Sequence, residues 1–151
     1  DSLHAGRFVI GRRAMKHQGG KAPIEPIPPL TDAVARQVVD AAYAVHNALG
    51  PGLLEGVYEV CLVHELNKRG IKVEQQVMLP VIYDNVRLDA GLRLDLVVND
   101  CLIVELKAVE NLLPVHKAQI LTYLKLSGYR LGLLINFNVP VIKNGIQRVA
   151  L

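Results

Sequence analysis

From residue 31 to residue 49, apolar side chains recur every three or four positions: Val34, Val38, Ala41, Val45 and Leu49 share one stripe. That period predicts a helix with a single buried face. Thr31 suits its N-cap, Asp32 suits the first turn, and Gly50-Pro51-Gly52 stops it. A second helix is expected from Leu53 to Arg69, with Lys68-Arg69 in its last turn and Gly70 just beyond. The pattern then changes to short apolar runs. Ile71–Val77 leads into Leu79–Tyr83, Asp84-Asn85 turns into Val86–Leu88, and Leu92–Val98 and Leu102–Lys107 read as the two clearest strands. Pro114 fits the first turn of a third helix that ends at Ser127-Gly128. Tyr129–Phe137 and Val141–Leu151 read as two final strands. Helices, an antiparallel meander, a helix and strands make an α/β domain over residues 30–151.

Residues 1–29 do not continue this pattern. Gly19-Gly20 and the run Pro23-Ile24-Glu25-Pro26-Ile27-Pro28-Pro29 disfavour helix and central strand, so a disordered or extended tail is expected. The chain opens with Asp1, and Met15 is a candidate native start, which would make residues 1–14 foreign.

Composition adds limits. The chain has 151 residues, 51% hydrophobic and 21% charged, which suits one globular domain. No apolar run approaches the roughly 18–20 residues of a membrane-spanning helix, so a cytoplasmic protein is expected. The net charge is +3, and the tail carries it with five Lys/Arg against two acids. The domain balances 12 basic residues against 12 acidic ones, so it offers little sign of a basic nucleic-acid-binding face. The tail could instead be a basic arm that lies on nucleic acid. Cys61 and Cys101 each sit in an apolar run and read as reduced packing residues. They form no CxxC pair, which argues against a zinc ribbon or a four-cysteine iron–sulfur cluster.

The chemistry gathers on the hairpin Leu92–Lys107. Strand side chains alternate between faces, so Leu94, Leu96 and Val98 are expected on one face and Arg93, Asp95 and Val97 on the other. A two-residue Asn99-Asp100 turn would set Leu94 against Glu105 and mix apolar with charged positions. A three-residue turn, Asn99-Asp100-Cys101, sets Leu96 against Val104 and Asp95 against Glu105. The second register keeps one face apolar and gathers Arg93, Asp95, Glu105 and Lys107 on the other. Two opposed carboxylates, with Cβ atoms about 4.5–5.5 Å apart, repel unless a divalent cation lies between them. The plainer alternative is an exposed polar face.

Taken in order, Gly52…Glu55…Tyr58, Asp95, Glu105-x-Lys107 and Gln119-x-x-x-Tyr123 resemble the GxxExxY family, a RecB-like branch of the PD-(D/E)xK nuclease superfamily. Leu94 stands where the superfamily name has Pro. The resemblance implies a restriction-endonuclease-like core, a central mixed β-sheet flanked by helices. It implies that Asp95, Glu105 and the Leu106 carbonyl would hold Mg²⁺ or Mn²⁺, with Glu55 as a further ligand or acting through water. Lys107 would orient the attacking water. Gln119 and Tyr123 would hold a nucleotide near the scissile phosphate, and His116, one turn before Gln119, could line the cleft. The expected function is a metal-dependent nuclease acting on DNA. The rivals are a nuclease acting on RNA and a non-catalytic module of the same fold that binds nucleic acid or protein. A homodimer is compatible with either.

Overall fold

The computed structural model describes residues 25–151. Most of the expected tail, residues 1–24, lies outside the described residues. Residues 25–28 touch the domain: Ile27 packs on the core and the Arg130 guanidinium donates to the Glu25 carbonyl.

Helix α1 spans Pro29–Leu49 and begins two residues before the expected Thr31 cap. Pro28 holds the cap position and Pro29 opens the helix, because proline at the first helical residue has φ preset and lacks only an N–H that would be unbonded anyway. Thr31 is therefore buried inside the first turn. Helix α2 spans Glu55–Lys68, and Gly70 follows at φ 74°. Strands β1 (Val73–Tyr83) and β2 (Val86–Val98) each join two pieces that the sequence pattern had left separate. Asp84-Asn85 forms the two-residue turn between them, both at positive φ. Strand β3 is Leu102–Lys107, helix α3 is Pro114–Ser127 and strand β4 is Leu131–Asn136. The last expected strand is shorter than predicted. Ile142–Gly145 forms a 3₁₀ turn around Lys143-Asn144-Gly145, and β5 is Ile146–Ala150.

The strands lie in the order β1-β2-β3-β4-β5. All neighbours are antiparallel except β3 and β4, which run parallel and need the α3 crossover to join them. Helices α1 and α2 cover one face. Val34, Val38, Ala41 and Val45 of α1 meet Leu62 and Leu66 of α2 and Leu96, Val104 and Ile135 of the sheet. Helix α3 covers the other face, where Ile120 and Leu124 meet Val97, Ile103 and Leu134. A Cβ on Gly132 would stand 2.7 Å from the Ile120 side chain, so glycine there lets α3 lie close to β4. The sheet is thus mixed and flanked by helices on both faces.

One face assignment changes. Leu96 and Val98 join the first core, but Leu94 joins the second, with Leu92 and Val77. Strict alternation would keep all three β2 residues together. The switch falls at Asp95 and Gln76. The β1–β2 ladder pairs Gln75 with Leu96 and Val77 with Leu94 but skips the residues between. Gln76 has φ 52°, in the left-handed region. One residue is unpaired on each strand, so register is kept while the faces exchange.

Candidate metal and nucleic-acid site

The three-residue turn is present. Val98 pairs with Leu102, Val97 with Ile103 and Leu96 with Val104. The next pair in that register is Asp95 with Glu105, and there side chains replace the ladder. Asp95 Oδ2 accepts the Leu106 N–H at 2.9 Å, and Glu105 Oε2 accepts the Asp95 N–H at 3.3 Å. Each carboxylate thus holds backbone of the opposite strand.

Glu105 is only 6% exposed. Burial first, then its hydrogen bond and charge interaction with Asp95, push its carboxyl up to about 9 from an ordinary 4.5. The Lys107 charge opposes this rise. Glu105 Oε1 is buried with no hydrogen-bond partner among the described residues. A buried acid with an unused oxygen beside a second carboxylate is a donor set that fits a hard divalent cation. The set is limited to these two side chains: among the described residues no three Asp, Glu, His or Cys converge to hold a metal, so Glu55 does not join them as a third carboxylate. Leu106 lies between the two key side chains of β3, its own side chain buried in the first core and its N–H taken by Asp95.

Glu55 is the first residue of α2. Burial and the Asp95 charge raise its carboxyl, while Lys107 lowers it, so Glu55 lies within electrostatic reach of both. What aims it is a loop tied by Tyr58. The Tyr58 hydroxyl donates to the Gly50 carbonyl at 2.6 Å and accepts the Leu53 N–H at 3.1 Å. Gly52, inside that loop, has φ 100°, where a side chain would be strained. The Gly52…Glu55…Tyr58 spacing therefore has a mechanical reading: glycine bends the loop, tyrosine fastens it, and Glu55 leaves it at the helix start. The Tyr58 ring is fully buried and stacks on Phe137, centroids 4.7 Å apart and 8° from parallel.

Phe137 links that helix to Lys107, since its N–H bonds the Lys107 carbonyl at 2.9 Å. Neighbouring Asn136 is 2% exposed. Its side chain accepts the Val109 N–H at 3.0 Å, donates to the Val109 carbonyl at 2.9 Å and accepts the Asn138 N–H at 3.2 Å. The chain leaving Lys107 is held on both sides. Sequence reading missed Asn136 and Phe137. The available signal was a lone amide closing the apolar run Leu131–Ile135.

On α3 the Gln119 amide donates to the Tyr123 hydroxyl at 2.7 Å, as their four-residue spacing allows. Burial first, then the Glu105 and Asp95 charges, raise the Tyr123 phenol, so Tyr123 lies within electrostatic reach of the carboxylates. His116 is engaged differently. Its Nδ1 accepts the Leu113 N–H at 3.0 Å and caps α3. A groove of about 520 Å³ beside that helix start, lined by Pro114, Lys117 and Arg148 among others, includes none of the carboxylates. His46 plays a structural part away from these residues: its Nε2–H donates to the Val139 carbonyl at 2.7 Å.

No curated protein matches this sequence. A solved structure, the crystal structure of SSO0001, is similar with a TM-score of 0.46 and 20% identity, covering 94% of this chain and 74% of that one. The sequence model of the PD-(D/E)XK nuclease superfamily matches residues 32–149, from the first turn of α1 into β5. That span holds the mixed sheet, its three helices and every candidate side chain described above. The chain belongs to the PD-(D/E)XK nuclease superfamily and has its α/β, restriction-endonuclease-like fold.

Proposed function

We propose that this protein is a divalent-metal-dependent nuclease hydrolysing phosphodiester bonds, with DNA as the leading substrate. One observation carries the reading: Asp95 and Glu105 meet across the end of the β2–β3 ladder, with a buried Glu105 oxygen that has no hydrogen-bond partner among the described residues. Asp95, Glu105 and the Leu106 carbonyl would hold Mg²⁺ or Mn²⁺, with Glu55 approaching from α2. When bound, the cation supplies charge neutralisation at the phosphate and an acidified water.

The remaining chemistry belongs to the chain. Lys107 orients the attacking water and offsets charge that builds on the phosphate oxygens. Water oxygen bonds to phosphorus as the bond from phosphorus to the bridging ester oxygen breaks; the water gives up a proton to solvent, and the leaving oxygen takes one from solvent and departs as an alcohol. The Gln119–Tyr123 pair contacts the nucleotide beside the scissile bond. His116, already bonded to its own helix start, has the weakest claim on substrate. Free, partly buried Cys61 and Cys101 agree with a reducing, cytoplasmic setting. No helix of the described residues is long and apolar enough to cross a membrane.

The test is cleavage of single- and double-stranded DNA and of RNA with Mg²⁺ or Mn²⁺, beside Lys107→Ala. Metal-dependent DNA cleavage lost in Lys107→Ala is expected. Cleavage of RNA alone would move the substrate class. No cleavage, with nucleic acid still bound, would favour the non-catalytic module.

A further inference from the structure

We propose that Gln76, held by Glu59, is a positioning residue that keeps Asp95 turned toward Glu105. The proposal rests on the reading of Asp95 and Glu105 as a cation site and adds residues that carry no direct chemistry there. It starts from the gap in the β1–β2 ladder. Asn99 donates to the Lys72 carbonyl at 2.8 Å, and Glu74 pairs with Val97, so β2 residues of odd number turn their backbone groups toward β1. Asp95 is the next in that series and its partner would be Gln76. The pair is missing, and the Asp95 N–H goes to Glu105 Oε2 instead.

Gln76 supplies the reason. At φ 52° its backbone cannot continue a regular strand, and a non-glycine residue persists there only where its surroundings hold it. The holder is visible. The Gln76 amide donates to both oxygens of Glu59, at 3.0 and 3.1 Å, and the Gln75 amide donates to the same carboxylate at 3.1 Å. Glu59 lies four residues after Glu55 on α2, on the same side of the helix. One helix thus presents Glu55 to the carboxylates and, a turn later, fixes the kink that exposes Asp95 to them. The same kink exchanges the two faces of the hairpin, so it cannot relax without moving Leu94 out of the second core.

The experiment uses the whole chain and compares Gln76→Val, Gln76→Gly and Glu59→Ala. Valine resists the left-handed region and glycine enters it freely. Mn²⁺ binding is read by calorimetry and by the electron-spin resonance spectrum of the bound ion. We expect Gln76→Val to bind Mn²⁺ about tenfold more weakly, Glu59→Ala to weaken it by about threefold or more with little change in melting temperature, and Gln76→Gly to bind like the parent. Rescue by glycine is the outcome a purely structural role of the side chain does not give. Parent-like binding by Gln76→Val or by Glu59→Ala, or a Gln76→Gly protein as weak as Gln76→Val, overturns the proposal. Should Gln76→Val not fold, Glu59→Ala and Gln76→Gly still decide. Amide hydrogen exchange at Asp95 separates this idea from the metal-site reading. If the parent binds no Mn²⁺ at all, that reading fails, yet the kink is still judged. An Asp95 amide less protected than that of Val97 supports it, and one equally protected overturns it.

Discussion

Asp95 and Glu105 hold each other's strands through their side chains: Asp95 Oδ2 accepts the Leu106 N–H, and Glu105 Oε2 accepts the Asp95 N–H. The hydrogen bonds that would close the ladder at this point are made by carboxylates instead. Two acids are therefore held close together, and burial first, then the hydrogen bond and charge of Asp95, raise the Glu105 carboxyl.

That cost has a pH signature. Glu105 binds its proton up to about 9 in the folded protein but only to an ordinary 4.5 when unfolded. Between those values the unfolded chain binds fewer protons, so stability falls as pH rises. Without metal, the protein should lose stability from about pH 5 to about pH 8, by at most on the order of 1 kcal/mol per pH unit. Glu105→Gln should flatten the slope and be the more stable protein at the upper end. Urea titrations at several pH values measure both, and a parent with no slope contradicts the buried, protonated acid.

Metal should reverse the ranking. A cation needs both carboxylates ionised, so Mn²⁺ binding should release a proton and tighten as pH rises. Asp95→Asn keeps an oxygen for the Leu106 N–H and removes the repulsion. Metal-free, it should be at least as stable as the parent. With Mn²⁺ it should gain less in melting temperature, and it should cleave nothing. A melting curve with and without Mn²⁺ shows this, and equal Mn²⁺ gains in both proteins would exclude Asp95 as a ligand.

Tyr58→Phe isolates the loop fastening, because the ring and its stack on Phe137 remain. Losing the bonds to Gly50 and Leu53 should cost about 1–2 kcal/mol in urea unfolding. Freed from the loop, Glu55 should also lose its fixed approach, so cleavage should fall by more than the stability loss explains. Unchanged cleavage would leave Tyr58 a packing residue only.

Asn136→Ala should be the more damaging change. It leaves the Val109 N–H and carbonyl and the Asn138 N–H without their partner in a part-buried site. A loss of roughly 2–3 kcal/mol is expected. Hydrogen exchange at Val109 should quicken along with it, and protection retained there would show that the segment after Lys107 is held by something else.

Much of this was legible in the chain. The α1 stripe from Val34 to Val45 (Leu49, at the helix end, is exposed), Gly70 after α2, the Asp84-Asn85 turn and the three-residue turn at Asn99 follow from local preferences and side-chain period, which act within a few residues. The hairpin register followed from keeping Leu96 against Val104, because a slip of one residue turns a whole face out. The start of α1 did not follow, since Pro28-Pro29 reads equally as linker and as helix opening.

The sequence by itself determined the three helices, the central strands and the register that brings Asp95 to Glu105, but not the 3₁₀ turn at Ile142–Gly145. Only the tertiary structure decided what holds them. The Gln76 kink depends on Glu59, seventeen residues away. The Lys107 exit depends on Asn136 across the parallel pair. The loop before Glu55 depends on a tyrosine whose ring rests on Phe137. These contacts join residues with no shared period along the chain, and the face exchange at Asp95 breaks the one period a strand has. Alternation describes an undisturbed strand, and a positive φ at one glutamine, stabilised from another element, is enough to end it.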